Sequence, residues 1–261
     1  MKGTNLNISA VQCDLHWEDV EQNLQTIECY LKTIPTETDV VVLPEMFTTG
    51  FSMMAQSMAV SMDGVEVNRI KIWAKEYNVA VVGSLIVEEN KKYYNRLLWV
   101  NPNGEVFKYD KKHLFTFAKE HETYTAGSEK LIVNYKGLKF ACFICYDLRF
   151  PVWNRNVSND YDVAIYVANW PEKRIEAWKS LLVSRAIENQ VYVVAVNRVG
   201  VDGNEIKYNG ASVILGPEGE FLVTSGPNEK RTLNYTLSGD RLNKYRVDFP
   251  VGNDADKFKI I

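Results

Sequence analysis

Cys145 stands where an apolar run stops: residues 143 to 151 read F-I-C-Y-D-L-R-F-P, with a tyrosine, an aspartate and an arginine close behind the thiol. A structural cysteine is inert and normally has apolar neighbours on both sides. A thiol at such a boundary is a candidate nucleophile. It needs a base to take its proton, a donor for the oxyanion it creates, and shelter from bulk water. Histidine is the usual base, yet His16, His113 and His121 stand in no distinctive context. The distinctive polar residues are Glu45, directly after Pro44 at the end of D-V-V-V-L-P-E, and Lys111, Lys112, Glu120 and Glu122 of the charged segment 110 to 127. A Glu, Lys and Cys set is the sharpest chemical reading. Singly, each has a plainer one: Glu45 caps a turn, Lys111 is a solvated lysine, and Glu120 pairs with Lys119.

Cys142 and Cys145 also spell C-x-x-C. In an extended strand over 138 to 145 these two positions point to opposite faces and cannot pair. No second C-x-x-C and no H-x-H cluster accompanies them, so zinc or redox use is not expected and Cys142 is read as core. Four cysteines (13, 29, 142 and 145) in a chain of 261 residues make no disulfide framework, which suits a reducing compartment.

The elements that must position these groups alternate between short apolar runs and helical patterns. Leu6, Ile8 and Ala10 recur at period two; Val20, Leu24, Ile27, Leu31 and Ile34 recur at helical spacing. The β-branched run 39 to 45 predicts a strand buried on both faces, ended by Pro44. A helix through Val65, Ile70, Trp73 and Tyr77 precedes a strand at 79 to 87, and N-P-N-G (101 to 104) joins a hairpin. Strands follow at 131 to 135 and 138 to 145, then at 162 to 170. A helix with Ile175, Trp178, Leu182 and Arg185 along one side leads into a strand at 191 to 198. The C-terminal part reads as strands and turns, with a polar tail after Asp240. The reading is α/β, with helices covering sheet faces too apolar to meet water, and the hairpins argue against a purely parallel arrangement. No linker divides residues 1–261, which are expected to form one domain.

With 30 basic against 33 acidic residues the formal charge is -3, which offers no footprint for nucleic acid or an anionic membrane. The N-terminus lacks a signal-peptide pattern, and no stretch approaches the ~18 apolar residues of a membrane span. The expectation is a soluble cytoplasmic protein whose partners are small molecules or copies of itself.

Several separated segments resemble the nitrilase superfamily of carbon-nitrogen hydrolases: L-P-E-M-F-T-T-G-F (43 to 51), Y-D-K-K-H-L-F (109 to 115), C-Y-D-L-R-F-P-V-W (145 to 153) and S-R-A-I-E-N-Q-V-Y (184 to 192). Together with N-W-P-E-K-R (169 to 174), they are most similar to the omega-amidase branch. The resemblance implies a four-layer α-β-β-α sandwich with no metal or organic cofactor. It also implies Glu45 as general base, Cys145 as nucleophile and Lys111 as the oxyanion-side lysine, chosen over Lys112 by the family's K-x-H-L spacing. The family's second glutamate, seven residues before a glycine, falls on Glu120, with Glu122 the rival.

On that footing the backbone N–H of Tyr146 joins Lys111 in holding the oxyanion. Two carboxylates and one ammonium already sum to one negative charge, so the thiol, ordinarily near about 8.5, is expected to stay protonated at rest. The implied substrate is a short linear amide with a far carboxylate, such as 2-oxoglutaramate or 2-oxosuccinamate. Arg174 is the expected carboxylate partner, and Trp170 and Tyr146 are the expected walls. Arg149 and Arg185 are read as internal ion pairs. Nitrile or N-carbamoyl hydrolysis and a catalytically silent binding module are the alternatives, with Tyr146-Asp147 after the cysteine favouring the amide over the nitrile. A homodimer is expected through helices near 149 to 157 and 172 to 190, where Trp153 and Trp178 supply either interface area or intrachain core.

Overall fold

The first apolar alternation becomes the strand Asn5–Gln12 (β1), and the β-branched run after Asp39 becomes Val40–Val42 (β2). Between them Val20–Leu31 (α1) buries Leu24, Ile27 and Leu31 at helical spacing, and the Asp19 carboxylate accepts from Gln22 N–H at its start. Ala55–Met58 (α2), Val65–Glu76 (α3), Ala80–Glu89 (β3), Lys92–Val100 (β4) and Val106–Asp110 (β5) complete the first half. The second half runs through Glu120–Thr123 (α4), Leu131–Tyr135 (β6), Leu138–Ile144 (β7), Pro151–Asn154 (α5), Val163–Ala168 (β8), Ile175–Asn189 (α6) and Tyr192–Asn197 (β9). Val199–Val201 (β10), Lys207–Asn209 (β11), Val213–Leu215 (β12), Phe221–Thr224 (β13), Arg231–Ser238 (β14) and Gly239–Asp248 (α7) follow. This computed structural model describes residues 4–256 and 258; positions 1–3, 257 and 259–261 of the expected 1–261 unit lie outside the described residues.

Two six-stranded sheets form, ordered β14-β1-β2-β3-β4-β5 and β13-β12-β9-β8-β7-β6, while β10 and β11 pair apart. In each sheet three neighbours run parallel, β1-β2-β3 and β7-β8-β9, and the outer strands are antiparallel. Parallel strands need cover on both faces, and the pleat divides the side chains accordingly. Ile8, Val40, Val42, Val82 and Trp99 face the second sheet and share a core with Phe140, Cys142 and Ile165. Val11, Val41, Val81 and Leu98 face the other way, onto Leu24, Ile27, Ile70 and Trp73 of α1 and α3. Trp178, Leu182 and Ala186 of α6 join the core from beyond the second sheet. The result is the four-layer α-β-β-α sandwich.

The strand expected over 39 to 45 is shorter, ending at Val42, because the chain must turn before Glu45. Helix α1 stops at Leu31, leaving Ile34 to pack beside it. The polar tail expected after Asp240 is instead α7, which the Ser238 hydroxyl caps by accepting from Arg241 N–H. It buries only Gly239 and Leu242, so most of its residues are polar and hide the helical period. Trp178 is fully buried and donates to Ala211 O at 2.8 Å; Trp153 is buried and donates to the Tyr109 hydroxyl at 3.0 Å. Both are intrachain core.

Candidate active site

Glu45 sits in the turn after β2. Leu43 N–H still bonds to Val82 O (2.7 Å) and Phe47 N–H to Ser84 O (3.0 Å), so the turn lies flat against β3. Gly83 permits this approach: a Cβ there would stand 2.9 Å from Leu43 Cβ and 3.0 Å from the Phe47 ring. Met46, next in line, holds φ at 44°, a left-handed conformation costly for a residue with a side chain. Its N–H donates to Ser84 Oγ at 2.8 Å, which secures the turn. Glu45 thereby enters the interior with no solvent exposure.

Lys111 directly follows β5. Its N–H bonds to Asn95 O (3.0 Å) and its carbonyl accepts from Gly127 N–H (2.9 Å). A Cβ on Gly127 would come within 2.1 Å of Asp110 O, so only glycine lets the two ends of the 110 to 127 segment meet. Within that segment the predicted loop carries α4, entered through Lys119 at φ 60°. Glu120 turns inward, and Phe115 N–H donates to its Oε2 at 2.5 Å. Glu122 turns outward and is exposed, 3.8 Å from Lys119 Nζ.

The three charges meet. Lys111 Nζ donates to Glu45 Oε1 at 2.9 Å and to Glu120 Oε1 at 3.0 Å, with all three side chains fully buried. Burial would lower the lysine's pKa, but the charges of Glu120 and Glu45 more than reverse this and hold it above the ordinary range. Burial raises Glu120, against the pull of Lys111 and with the push of Glu45. Lys112 lies outside the cluster, its Nζ 5.4 Å over the Trp153 ring.

Cys145 directly follows β7 and holds φ at 44°, so the chain bends sharply just where it leaves the strand. Sγ lies 3.9 Å from Asn169 O, just past the end of β8. Cys145 is part-buried and lines a cavity, whereas Cys142 is fully enclosed in the core, as its place in the strand predicted. Burial pushes the Cys145 thiol well above its ordinary range; the Glu45 charge adds to this, Lys111 opposes it, and a hydrogen bond to Glu45 adds again. Among the described residues no group of three or more His, Cys, Asp or Glu side chains is placed to hold a metal ion.

Three polar residues that carried no role in the sequence reading complete the floor. Asn95 Nδ2 donates to Glu45 Oε1 (2.8 Å) and Glu120 Oε1 (3.2 Å), and its Oδ1 accepts from Ser84 Oγ (2.9 Å). Asn169 donates from its backbone to Glu45 Oε2 (2.8 Å) and from Nδ2 to Glu45 O (2.6 Å). Their signal was a polar residue inside an apolar strand, as in K-Y-Y-N-R-L-L-W-V, or just past one, as in N-W-P.

The cavity has a volume of about 1270 Å³ and is lined by Lys111, Cys145, Tyr146, Asn169, Trp170 and Arg174, so the structure brings the predicted walls and the predicted cation to one space. It is large for a small-molecule site. Arg174 places its guanidinium 5.2 Å from the Phe115 ring centre and 5.9 Å from that of Phe117. Arg185 pairs with Glu188 at 2.9 Å, as expected. Among the described residues Arg149 forms no ion pair, contrary to the expectation. Its guanidinium lies 4.9 Å over Trp170 and faces the cavity, because the turn after Cys145 carries it to the cavity wall rather than into the packed interior.

Residues 7–247 match the carbon-nitrogen hydrolase family. Omega-amidase YafV of Escherichia coli strain K12 is 44% identical, with 98% of both chains covered. A 2-oxoglutaramate amidase of Bacillus subtilis strain 168 is 35% identical, covering 96% of this chain and 97% of that one. Among solved structures, a CN-hydrolase superfamily protein of Xanthomonas campestris with an arsenic adduct in its active site superposes with a TM-score of 0.96 at 41% identity, covering 98% of this chain and 99% of that one.

Proposed function

The chain belongs to the carbon-nitrogen hydrolase family, and from that premise we propose that Cys145, Glu45, Lys111 and Glu120 hydrolyse the omega-amide of a short 2-oxo acid, of the 2-oxoglutaramate type. The observation that carries this reading is the fully buried Glu45–Lys111–Glu120 cluster opening onto the cavity that Cys145 lines. The relatives named omega-amidase and 2-oxoglutaramate amidase support the choice of substrate.

The resting thiol is protonated, in keeping with the direction of its pKa. As sulfur attacks the amide carbonyl, the S–H proton passes to Glu45 and the carbonyl π electrons move to oxygen. Lysine has three N–H donors. Lys111 gives two to Glu45 and Glu120, leaving one for the oxyanion beside the Tyr146 backbone N–H. Loss of one such donor costs on the order of 10²- to 10³-fold in rate. The tetrahedral intermediate collapses, the C–N bond breaks, and Glu45 returns its proton to the departing nitrogen, releasing ammonia and leaving a thioester. Glu45 then deprotonates water, whose attack breaks the C–S bond, and the proton passes from Glu45 to the departing sulfur, which frees the carboxylic acid and restores the thiol. Glu120 keeps Lys111 charged and aimed. Arg174 meets the substrate's far carboxylate between the Tyr146 and Trp170 walls, and it has no ion pair among the described residues. Arg149, equally unpaired, supplies a further cation to the same space.

The reading includes one domain, a cytoplasmic location and a homodimer. No helix among the described residues is long and apolar enough to cross a membrane. Val152 on α5 and Ile187 on α6 are exposed, and Arg155 Nη1 ties the two segments by donating to Glu188 O. Val152, Val157 and Ile187, rather than Trp153 and Trp178, supply exposed apolar surface in these segments for a second copy.

Ammonia release from a panel of carboxylated amides, neutral amides, nitriles and N-carbamoyl compounds tests the reaction. The expected result is turnover of the carboxylated amides, abolished in Cys145→Ala. Wild-type rates in that variant, or preference for nitriles, would overturn the proposal. Iodoacetamide labelling of Cys145 against pH should climb through about 8.5 and beyond; an inflection below 7 would contradict the protonated resting thiol.

A further inference from the structure

Asp147 lies two residues after Cys145 and is fully buried, yet the reaction just described gives it no task. Its carboxylate accepts from two directions. Oδ2 takes Ile144 N–H at 3.0 Å and the Tyr109 hydroxyl at 2.7 Å. Oδ1 takes His113 N–H at 2.9 Å and His113 Nδ1 at 2.8 Å. An ionised carboxylate can only accept, so Nδ1 carries the proton. Burial and the Asp147 charge push Tyr109 well above its ordinary range, which keeps the hydroxyl a donor. That oxygen also accepts from Trp153 Nε1 (3.0 Å) and Lys112 N–H (3.3 Å). The His113 ring is stacked on Phe150 at 3.8 Å, so it is held in place as well as bonded.

These donors bracket the two groups on which the reaction depends. Tyr109, Lys112 and His113 surround Lys111 in the chain. Ile144 precedes Cys145, whose left-handed φ of 44° must be held by something outside the residue itself. The donors also come from different layers, since Tyr109 belongs to β5 of the first sheet and Ile144 to β7 of the second.

We propose that Asp147 is a positioning residue that clamps the Lys111 segment to the Cys145 turn and so sets the separation between ammonium and thiol. The inference rests on the roles assigned above to Lys111 and Cys145. In Asp147→Asn one acceptor oxygen becomes an NH₂ facing donors, so the clamp opens on one side whichever way the amide turns. A misplacement of about 1 Å can cost 10²-fold, and the expected result is a fall in kcat of about that size, counted per titratable Cys145 thiol, with KM changed less than about threefold.

Tyr109→Phe and His113→Ala each remove one donor. Each should lower kcat several-fold, and together less than the product of the two, because both act through one carboxylate. This pair decides the matter if Asp147→Asn does not fold. Hydrogen exchange reads the clamp without substrate: peptides covering 109–115 and 143–149 should lose protection together in each variant. If the wild type released no ammonia from any amide, the reaction proposal would fail and exchange alone would decide the clamp. Variants with wild-type kcat per thiol and lowered stability only, or two segments losing protection independently, would overturn it.

Discussion

The cavity floor and its mouth are built by different physics. On the floor every carboxylate oxygen has a named donor: Glu45 Oε1 accepts from Lys111 and Asn95, Glu45 Oε2 from Asn169 N–H, Glu120 Oε1 from Lys111 and Asn95, and Glu120 Oε2 from Phe115 N–H. At the mouth Arg174 and Arg149 rest on the faces of Phe115, Phe117 and Trp170, and Phe117 is 83% exposed. Hydrogen bonds to a buried charge fix direction as well as distance, whereas contact between a cation and a ring fixes neither closely. On the proposed reaction, the difference divides the work: rate resides in the floor and substrate choice in the mouth.

The largest effect is expected on the floor. Lys111→Met keeps the length and removes the charge, leaving Glu45 and Glu120 buried and facing each other without the ammonium. Removing one partner of a buried ion pair typically costs about 3–5 kcal/mol, and loss of the oxyanion donor adds about 10²- to 10³-fold in rate. Urea unfolding and steady-state ammonia release should register both losses. Retention of activity within tenfold would break the contrast between floor and mouth.

A smaller and more selective effect is expected from Arg174→Gln. A hydrogen bond to a charged group contributes about 1.5–3 kcal/mol, so KM for a carboxylated amide should rise roughly 10- to 100-fold at nearly constant kcat. KM for a neutral amide of the same length should stay put. Equal losses on both substrates would place Arg174 in the structural frame; no loss on either would shift the carboxylate to Arg149.

The two regions were unequally legible in the sequence. Continuous β-branched runs announced β2, β8 and β9, and the segments around Glu45, Lys111 and Cys145 announced residues that the fold does bring together. What composition could not announce was geometry. Met46, Lys119 and Cys145 all hold positive φ without being glycine, a conformation that tertiary contacts impose and residue type does not signal. Asn95, inside an apolar strand, and Asn169, just past one, looked like ordinary polar residues, because their value lies in which oxygen they reach. Arg149 was misread for a related reason: its neighbours in sequence do not say whether the guanidinium finds an acid or a ring. Helix α7 was missed because a helix that buries two residues shows almost no apolar period.

The smallest effect is expected at Glu122, and it sharpens the comparison within a single turn of helix. Glu120 and Glu122 open the same four-residue helix, yet one is fully buried against Lys111 and the other is exposed 3.8 Å from Lys119 Nζ. An exposed ion pair of that kind is worth at most about 1 kcal/mol. Glu122→Gln should therefore leave kcat, KM and the unfolding midpoint at wild-type values. Glu120→Gln, the same exchange of one carboxylate oxygen for NH₂ two positions earlier, should lower kcat by weakening the hold on Lys111. If the two variants behaved alike, the left-handed turn at Lys119 would not be sorting one carboxylate inward and the other out. The inward aim of Glu120 would then have no bearing on the reaction.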